Sequence, residues 1–372
     1  MHHGNYLKNN YEKKNKANYN LIKQLNVKFG YSIPWSSLDD IILQSQIAEK
    51  NCFDTLWYSD HLMIPGNATV FESFSIIATL AQKTKSIKIG QPVVDTFRRH
   101  PSLIAHTALT IDNLSNGRSF VGLGAGEPMN LTPIGIRMKD SLLRLKESIE
   151  YIKGLWKADK KRPLNFNGKF FKAENLYLNI KKIQKLGPPI YLGASGPKTR
   201  QLAGQLADGW VPYVHSLSNY KQLLTDVKKG ASKARRNHQE IDIVANIPVL
   251  ILEKENDEQR NQVRRSLAIR LIMESNTLRD LGWGRNIPKE ISQLNMVVNE
   301  SINKKLEIEA DKIPQDVAEQ IAAIGTPSEV LETLESYRKM GVTHFLIKIM
   351  GKDLKESASK FKTKIISVMK EA

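Results

Sequence analysis

Two short stretches of the sequence carry side chains that can move a proton. Asp60 and His61 follow the run Leu-Trp-Tyr-Ser at 56–59, and Glu127 ends the segment Gly-Leu-Gly-Ala-Gly-Glu. An imidazole exchanges protons near neutral pH, and a carboxyl group can act as a general acid when its surroundings favour the protonated form. Each of these three residues is therefore a candidate for acid–base chemistry.

Both stretches also have structural explanations. An Asp-His pair after a strand is commonly a helix cap or a hydrogen-bonded turn. The three glycines before Glu127 leave room for a flat ligand against the backbone, or they allow strands to pack closely. Their spacing is a weak dinucleotide fingerprint, because Pro128 stands where the motif would continue.

A third stretch, Gly-Ala-Ser-Gly-Pro-Lys-Thr at 193–199, can hold an anion. Pro197 suits the first position of a helix, and free backbone N–H groups at a helix start bind phosphate. The pattern also fits an ordinary strand-to-helix turn. Gly351 and Lys352, which end the last predicted strand, are a competing phosphate site.

The elements that position these residues alternate between strands and helices. Strands are predicted at 27–33, 55–60, 87–94, 120–124, 189–194, 209–214, 241–251 and 343–350, and helices follow them from 37, 72, 101, 141, 199, 220, 257 and 356. A basic, hairpin-like excursion occupies 157–186, and an insertion occupies 274–314. Eight such units without a composition break predict an α/β fold, a single (β/α)8 TIM barrel with insertions. A doubly wound sheet with a second domain is the alternative.

Barrel enzymes place their chemistry at the carboxyl ends of the strands. The positions just past each apolar run are therefore the ones to inspect: 32–35, 60–61, 92–98, 124–130, 193–198, 213–215, 247–248 and 348–352. Pro92 lies inside the third strand, where its missing N–H predicts a bulge into the mouth of the barrel. His100 and His106 read as cap or surface residues, and no metal site is predicted.

Composition narrows the cellular context. The 372 residues include 55 lysines and arginines against 38 acidic residues, a net charge of +17, which suits nucleic acid, a membrane surface, a polyanionic cofactor or simply a lysine-rich surface. Residues 1–26 read as a flexible basic tail, and 27–372 as the barrel. Cys52 is the only cysteine, and no apolar run is long enough to span a membrane. We expect a cytoplasmic protein.

Five motifs occur in an order that resembles the bacterial luciferase-like superfamily: Trp-Tyr-Ser-Asp-His at 57–61, Phe-Arg-Arg-His-Pro at 97–101, Leu-Ser-Asn-Gly-Arg at 114–118, the segment at 122–127, and Ala-Asp-Gly-Trp at 207–210. Within it the chain resembles the branch that uses the deazaflavin coenzyme F420. That branch includes methylenetetrahydromethanopterin reductases, F420-dependent glucose-6-phosphate dehydrogenases and phthiodiolone ketoreductase-like proteins. The length and the segment 265–286 look most like the ketoreductase-like group.

The resemblance implies an F420-dependent oxidoreductase that transfers a hydride between C5 of the deazaflavin and a carbonyl or alcohol carbon. His61 and Glu127 match the acid–base pair of the glucose-6-phosphate dehydrogenases. The implied cofactor contacts are Asp60, Pro92, Val93, Ala125, Asn130, Ser195, Gly196, Lys198 and Thr199. The resemblance also implies a non-proline cis peptide bond between Pro92 and Val93, and a homodimer acting on a small molecule.

Departures from the sugar-phosphate dehydrogenases bear on the substrate. Pro65 stands where they have a tryptophan, 213–216 lack their phosphate-binding lysine, and Gln320 falls near their arginine. Glucose 6-phosphate is therefore a poor candidate. Three alternatives stay open: the C–N substrate of a methylenetetrahydromethanopterin reductase, an FMN-dependent luciferase-like monooxygenase, and a catalytically silent barrel with a nucleic-acid-binding basic surface.

Overall fold

The computed structural model describes residues 27–66, 68–254, 257–284, 287–292, 296–351 and 353–371. Within them, eight parallel strand positions close into a ring in the order β1, β2, β3, β5, β8, β9, β10, β12, and β9 pairs with β10 at Asp242 and Ile243. The predicted (β/α)8 TIM barrel is confirmed. The predicted tail at 1–26 and the competing phosphate residue Lys352 lie outside the described residues.

The strand bounds are as follows. They are β1 Lys28–Ser32, β2 Thr55–Trp57, β3 Lys88–Gly90, β4 Val94–Asp95, β5 Ser119–Gly124, β6 Leu164–Asn167, β7 Lys172–Leu176, β8 Ile190–Gly193, β9 Gly209–Val211, β10 Asp242–Ile251, β11 Ala323–Gly325 and β12 His344–Ile349. Strands β6 and β7 form the antiparallel hairpin expected within 157–186. Strand β11 is not in the ring and pairs with the end of β10.

Several of the α-helices begin at a side-chain cap. They span Leu38–Lys50, Ser73–Lys83, Pro101–Leu114, Pro128–Leu131, Ser141–Lys157, Pro197–Leu206, Leu217–Lys233, Asp257–Met273, Ser275–Asp280, Glu300–Asp311, Gln315–Glu319, Pro327–Met340, Leu354–Phe361 and Ser367–Glu371. The Ser37 hydroxyl accepts from the Asp40 N–H, as its predicted cap role requires. His100 caps the helix at Pro101, because its ring accepts from the Ser102 N–H.

The structure corrects the prediction for the helix that follows the seventh barrel strand. The predicted helix at 257–273 exists, but it does not follow β10 onto the outside of the barrel. It packs instead in a separate core with Glu300–Asp311 and Gln315–Glu319. The helix that returns from β10 to β12 is Pro327–Met340, which sequence analysis missed together with β11. Long insertions hide such a unit, because their own amphipathic helices carry the same periodicity as a barrel helix.

The apolar side chains form three cores. The largest lies between the strands and the surrounding helices. A second fills the inside of the barrel with six buried residues, Trp57, Phe120, Tyr191, Val211, Val244 and Leu346, against which Val93 packs. The third belongs to the insertion and includes Met129 and Val214, which follow β5 and β9. Because those two residues lie past the carboxyl ends of their strands, the insertion packs against the mouth of the barrel.

The third strand is interrupted as the proline predicts. Pairing stops at Gly90 and resumes at Val94, and residues 91–93 lie between. The expected cis peptide bond between Pro92 and Val93 is wrong: all peptide bonds in the described part of the chain are trans. A cis peptide bond that does not precede proline is about 3 kcal/mol less stable than the trans bond. The interruption at 91–93 forms here with a trans bond between Pro92 and Val93.

The opposite, amino-terminal end of the barrel holds a buried polar cluster around Asp242. Its carboxylate accepts from Lys28 Nζ at 3.0 Å, Tyr191 Oη at 2.6 Å and Thr343 Oγ1 at 2.6 Å, and it lies 3.1 Å from His344 Nδ1. Burial opposes the charged form, but His344, then Lys28 and Thr343, outweigh it and hold the pKa of Asp242 well below its usual range. This cluster lies away from the strand ends that carry the candidate site.

Candidate active site

Asn130 joins the two predicted proton-transfer residues. Its Oδ1 accepts from the backbone N–H groups of Leu62 at 2.7 Å and Met63 at 3.2 Å. Its Nδ2 lies 3.1 Å from His61 Nδ1 and donates to Glu127 Oε2 at 3.3 Å. His61 Nδ1 and Glu127 Oε2 are 3.6 Å apart. The loops after β2 and β5 therefore meet at one amide.

This geometry selects a tautomer for the neutral imidazole. Two backbone donors fix Oδ1 of Asn130 on their side, so the amide presents its N–H groups to His61 and Glu127. His61 Nδ1 must then accept, and the ring proton of neutral His61 lies on Nε2. The side chains of His61 and Glu127 are 17% and 22% exposed, which leaves both accessible to a small molecule.

Trp35, which follows β1, forms one wall beside His61. The two rings meet edge to face, with centroids 5.3 Å apart and an angle of 89°. Trp35 Nε1 is buried and has no hydrogen-bond partner among the described residues. The contact restrains the imidazole from the side of β1. Sequence analysis included Trp35 in the strand-end range 32–35 but gave it no role.

Asp60 is enclosed by cations. Its carboxylate is 1% exposed and accepts from Arg98 Nη2 at 2.5 Å, Arg99 Nη1 at 2.6 Å and Ser73 Oγ at 2.8 Å. Arg98 also pairs with Asp95 at the end of β4. The network joins the loops after β2 and β4 and holds the segment that presents His61. Contact between Asp60 and a cofactor stays a prediction.

The bulge at 91–93 explains why glycines line the neighbouring strands. An ideal Cβ on Gly122 would lie 2.3 Å from the Gln91 carbonyl oxygen and 2.4 Å from that of Pro92. Cβ atoms on Gly124 and Gly193 would lie 3.0 Å and 2.4 Å from Val93 methyl groups. These glycines therefore accommodate Pro92 and Val93, which is the packing explanation rather than open space for a ligand.

The turn at 195–199 has the features of an anion cradle. Gly196 is the cap residue of the helix Pro197–Leu206 and supplies no side-chain cap to the first N–H groups. Ser195, Gly196 and Lys198 are exposed, and Ala125, in the loop after β5, is half-buried. The Thr199 hydroxyl donates to the Gly196 carbonyl at 2.8 Å, and Arg200 donates to the Ser195 carbonyl. The backbone of the turn is thus held in place.

Tyr213 and Arg270 connect the insertion to this mouth; sequence analysis included Tyr213 in the strand-end range 213–215 without giving it a role, and it missed Arg270. The Arg270 guanidinium lies over the Tyr213 ring, 5.4 Å from its centroid. Burial raises the pKa of Tyr213, Arg270 acts against that change, and the charge of Glu127 adds to it. Glu127 and Arg270 are therefore both within electrostatic range of one phenol. Nothing in the spacing of the helix at 257–273 marks Arg270 as a site residue.

An open groove of about 410 Å³ begins at Pro128, the residue after Glu127. It is lined by six residues of the loop after β5: Pro128, Thr132, Gly135, Ile136, Arg137 and Met138. In the described part of the chain, no three His, Cys, Asp or Glu side chains cluster as metal ligands. No helix there is long and apolar enough to cross a membrane.

The architecture is that of a barrel with His61 and Glu127 close together at the carboxyl ends of its strands. A family model described as luciferase-like monooxygenase matches residues 26–344, and the chain belongs to this family of enzymes. This confirms the superfamily expected from the five motifs.

Curated relatives extend along most of the chain. The sequence is 27% identical over 347 residues to the 5,10-methylenetetrahydromethanopterin reductase of Archaeoglobus fulgidus, covering 92% of this chain and 100% of the relative. It is 26% identical to the F420-dependent glucose-6-phosphate dehydrogenase of Nakamurella multipartita, covering 88% and 92%. It is 23% identical to the phthiodiolone/phenolphthiodiolone dimycocerosates ketoreductase of Mycobacterium bovis, covering 84% and 88%.

Solved structures agree on the fold. An F420-dependent secondary alcohol dehydrogenase in complex with an F420-acetone adduct superposes with a TM-score of 0.78 at 21% identity, covering 92% of this chain and 99% of that one. The coenzyme F420-dependent tetrahydromethanopterin reductase from Methanopyrus kandleri gives the same TM-score and coverage at 22% identity. Both similarities support the barrel architecture.

Proposed function

We propose that this protein is a coenzyme F420-dependent oxidoreductase that interconverts a carbonyl compound and its alcohol. The observation that carries the proposal is the cluster in which Asn130 holds His61 Nδ1 and Glu127 Oε2 3.6 Å apart at the strand ends. Of the relatives described above, one is named an F420-dependent dehydrogenase and another is named a ketoreductase. The chain is similar to them over more than four fifths of its length.

The residues at the mouth fit a flat, phosphorylated cofactor. The exposed turn at 195–199 offers uncapped N–H groups and Lys198 for a phosphate. The bulge at 91–93 offers backbone and the buried Nε2 of Gln91, which has no hydrogen-bond partner among the described residues. F420 supplies or accepts a hydride at C5 of its deazaflavin ring when it is bound. Ala125 and Asn130, which flank Glu127, complete the contacts that we propose for it.

The protein's own contribution is proton transfer at the substrate oxygen. Reduction of a carbonyl group adds a hydride to carbon and a proton to oxygen, so a donor must face that oxygen. An imidazolium at His61 is one such donor, and the Glu127 carboxylate 3.6 Å away is placed to stabilise it. Protonated Glu127 is the second candidate, with the Nε2–H of neutral His61 donating a hydrogen bond to the same oxygen. In the direction of alcohol oxidation the member of the pair that has given up its proton, neutral His61 or the Glu127 carboxylate, takes it back.

The cofactor is tested by titration of the purified protein with F420 and with FMN. Binding of F420, followed by its absorbance change, supports the proposal, and tight binding of FMN without binding of F420 favours the monooxygenase alternative. Oxidation of reduced F420 by ketones or by the methylene pterin, and reduction of oxidised F420 by alcohols, then distinguish carbonyl from C–N substrates. Glucose 6-phosphate is the expected negative control, given Pro65 and Gln320.

The role of Glu127 is tested separately. Glu127→Gln removes the titratable proton but keeps the shape, so turnover falls by about 10²-fold if Glu127 transfers the proton, with little change in F420 affinity. Glu150→Gln, on the exposed face of the helix Ser141–Lys157, is the matched control. An unchanged rate in Glu127→Gln assigns the proton to His61 or to water, and His61→Asn then decides between these two.

We also propose that the protein acts on a small molecule as a cytoplasmic homodimer, without specific binding to nucleic acid. Light scattering on the purified chain measures the oligomer. Duplex binding that survives both His61→Ala and Glu127→Ala at moderate salt would instead support the silent, nucleic-acid-binding barrel. If the protein does not bind duplex nucleic acid, two explanations of the net charge of +17 remain: an anionic cofactor and a lysine-rich surface.

A further inference from the structure

The inner face of the last barrel strand carries a lysine at the mouth. Side chains alternate along a strand, and Leu346 of β12 packs in the core inside the barrel, while Phe345 and Ile347 pack outside. Lys348, two residues beyond Leu346, therefore faces inward. It pairs in register with Pro248 of β10, two residues beyond the position of Asn246. Lys348 is the inward-facing residue of β12 that lies nearest the carboxyl end of the strand.

A second cation reaches the same place from the insertion. Arg270 lies over the Tyr213 ring, and its charge acts on Tyr213, on His215 and on Lys348. The helix Asp257–Met273 that carries it packs against Val214, next to Tyr213. The two cations come from elements that are far apart in sequence and converge at the carboxyl ends of β9, β10 and β12.

Neither cation has an anionic partner among the residues that the structure describes. Among the described residues, the side chains of Arg270 and Lys348 form no hydrogen bond or ion pair, and Arg270 Nε is buried without a partner. Burial, followed by the charge of Arg270, lowers the pKa of Lys348 to about 8. The nearby Glu274 is directed elsewhere, to the Ser195 hydroxyl and to Asn276. Both residues are half-buried, and two like charges left uncompensated at such a position are costly unless a ligand pairs with them.

We propose that Arg270 and Lys348 bind an anionic group of the substrate, a carboxylate or a phosphate, and so select an anionic carbonyl or alcohol compound. This inference rests on the proposed function and names its substrate class. The site adjoins the acid–base pair, because Tyr213 feels the charges of both Arg270 and Glu127. Arg270 stacks on Tyr213, and Glu127 acts on the same phenol, so the anion site and the acid–base pair have Tyr213 as a common neighbour.

The position also separates this site from the turn at 195–199. That turn begins the helix after β8, whereas Lys348 belongs to β12 and Arg270 to the insertion. The residues that sequence similarity suggests for a sugar phosphate do not include this pair. The pair thus provides a second anion-binding place in the same mouth, with a guanidinium suited to bidentate contact and an ammonium suited to a point contact.

Binding is measured first, by calorimetric titration of the full chain with oxalate and with inorganic phosphate, in the absence and in the presence of F420. We expect Lys348→Met and Arg270→Gln each to weaken anion binding by about tenfold or more. Lys221→Gln and Arg162→Gln remove equivalent charges from exposed positions and leave binding unchanged. Stronger binding of oxalate indicates a carboxylate, and stronger binding of phosphate indicates a phosphate ester. Wild-type affinity in both mouth variants overturns the inference, and so does anion binding that F420 abolishes.

Two further measurements separate the possible failures. Lys348→Met keeps the apolar stem and removes an uncompensated charge, so its melting temperature should be unchanged or higher, whereas a structural role predicts a lower one. Reduction by reduced F420 is then compared for pyruvate against acetone and for hydroxyacetone phosphate against hydroxyacetone. Equal kcat/KM within both pairs overturns the inference and leaves the proposed function standing. Anion binding that depends on Arg270 and Lys348, without reduction of any ketone, supports the anion site and overturns the proposed carbonyl chemistry.

Discussion

Substitution of Gly122 by alanine distinguishes the two explanations for the glycines of β5. The new Cβ would lie 2.3 Å and 2.4 Å from two carbonyl oxygens of the bulge, Gln91 and Pro92, and 2.7 Å from the Pro92 carbonyl carbon. Carbon and oxygen come into contact at about 3.3 Å, so the backbone of the bulge must retreat by about 1 Å. These neighbours are backbone atoms, which no side-chain rotation can move aside.

The expected cost follows from overpacking. Insertion of a methyl group into a packed interior destabilises a protein by about 1–3 kcal/mol. For a chain of 372 residues that corresponds to a fall in melting temperature of about 1–4 °C. Thermal unfolding of the protein without cofactor measures the stability, and a titration with F420 measures whether the displaced bulge also weakens binding. We expect both to fall, with F420 affinity reduced by about tenfold or more.

Gly154→Ala is the matched control. Gly154 lies inside the helix Ser141–Lys157, and its new Cβ would meet only the Leu164 side chain, at 2.9 Å from Cδ1. That methyl group can rotate away, and alanine favours a helix over glycine by up to about 1 kcal/mol. The control should therefore melt at the same temperature or higher. An unchanged melting temperature in Gly122→Ala together with weak F420 binding would refute the packing argument and assign the space to the ligand.

Three further substitutions test other parts of the structure. Asp242→Asn should cost about 3 kcal/mol at pH 7, because it removes the buried carboxylate that accepts from Lys28, Tyr191 and Thr343 and lies beside His344. The pKa of Asp242 in the folded protein lies below its unfolded value of about 3.9. The contribution of this carboxylate to the free energy of unfolding is therefore complete above about pH 3.9 and is lost as the pH falls below it. Urea unfolding between pH 3 and 7 should accordingly depend less on pH in the variant than in the wild type. Asp60→Asn should lower the free energy of unfolding by about 3 kcal/mol, because it weakens the contacts to Arg98 and Arg99. Asp39→Asn, at an exposed position, is the control and should change it by less than about 0.5 kcal/mol. Urea unfolding midpoints measure both. Asn130→Ala should remove the preference of neutral His61 for the Nε2–H form, which long-range ¹H–¹⁵N spectra of the imidazole report directly, and a ring that keeps one tautomer in this variant would contradict the role given to Asn130.

Local patterns predicted the barrel well where strand and helix directly follow one another. The helix Pro101–Leu114 has the bounds that its proline and apolar spacing indicate, and Ser37 caps as expected. The pattern was misleading at the seventh unit, where the insertion supplied a periodic helix before the true return helix Pro327–Met340. Periodicity shows that a helix has an apolar face, but it does not show which core that face meets.

The residues at the strand ends were predictable for the same reason. His61, Glu127 and Asn130 lie just past β2 and β5, and parallel strands in a barrel bring all their carboxyl ends to one face. The sequence could not show that the Asn130 amide bridges the other two, because this depends on two backbone N–H groups in a different loop. It also could not show that Asp60 is surrounded by Arg98 and Arg99.

The sequence by itself determined the class of fold and the list of groups able to transfer a proton or hold an anion. Those properties depend on side-chain chemistry and on spacing along the chain. Only the tertiary structure decided which groups act on one another, such as the inward-facing Lys348 and Arg270 from the insertion. Electrostatic and packing energies depend on distances in space, and β12 and the insertion helix approach each other only when the barrel closes.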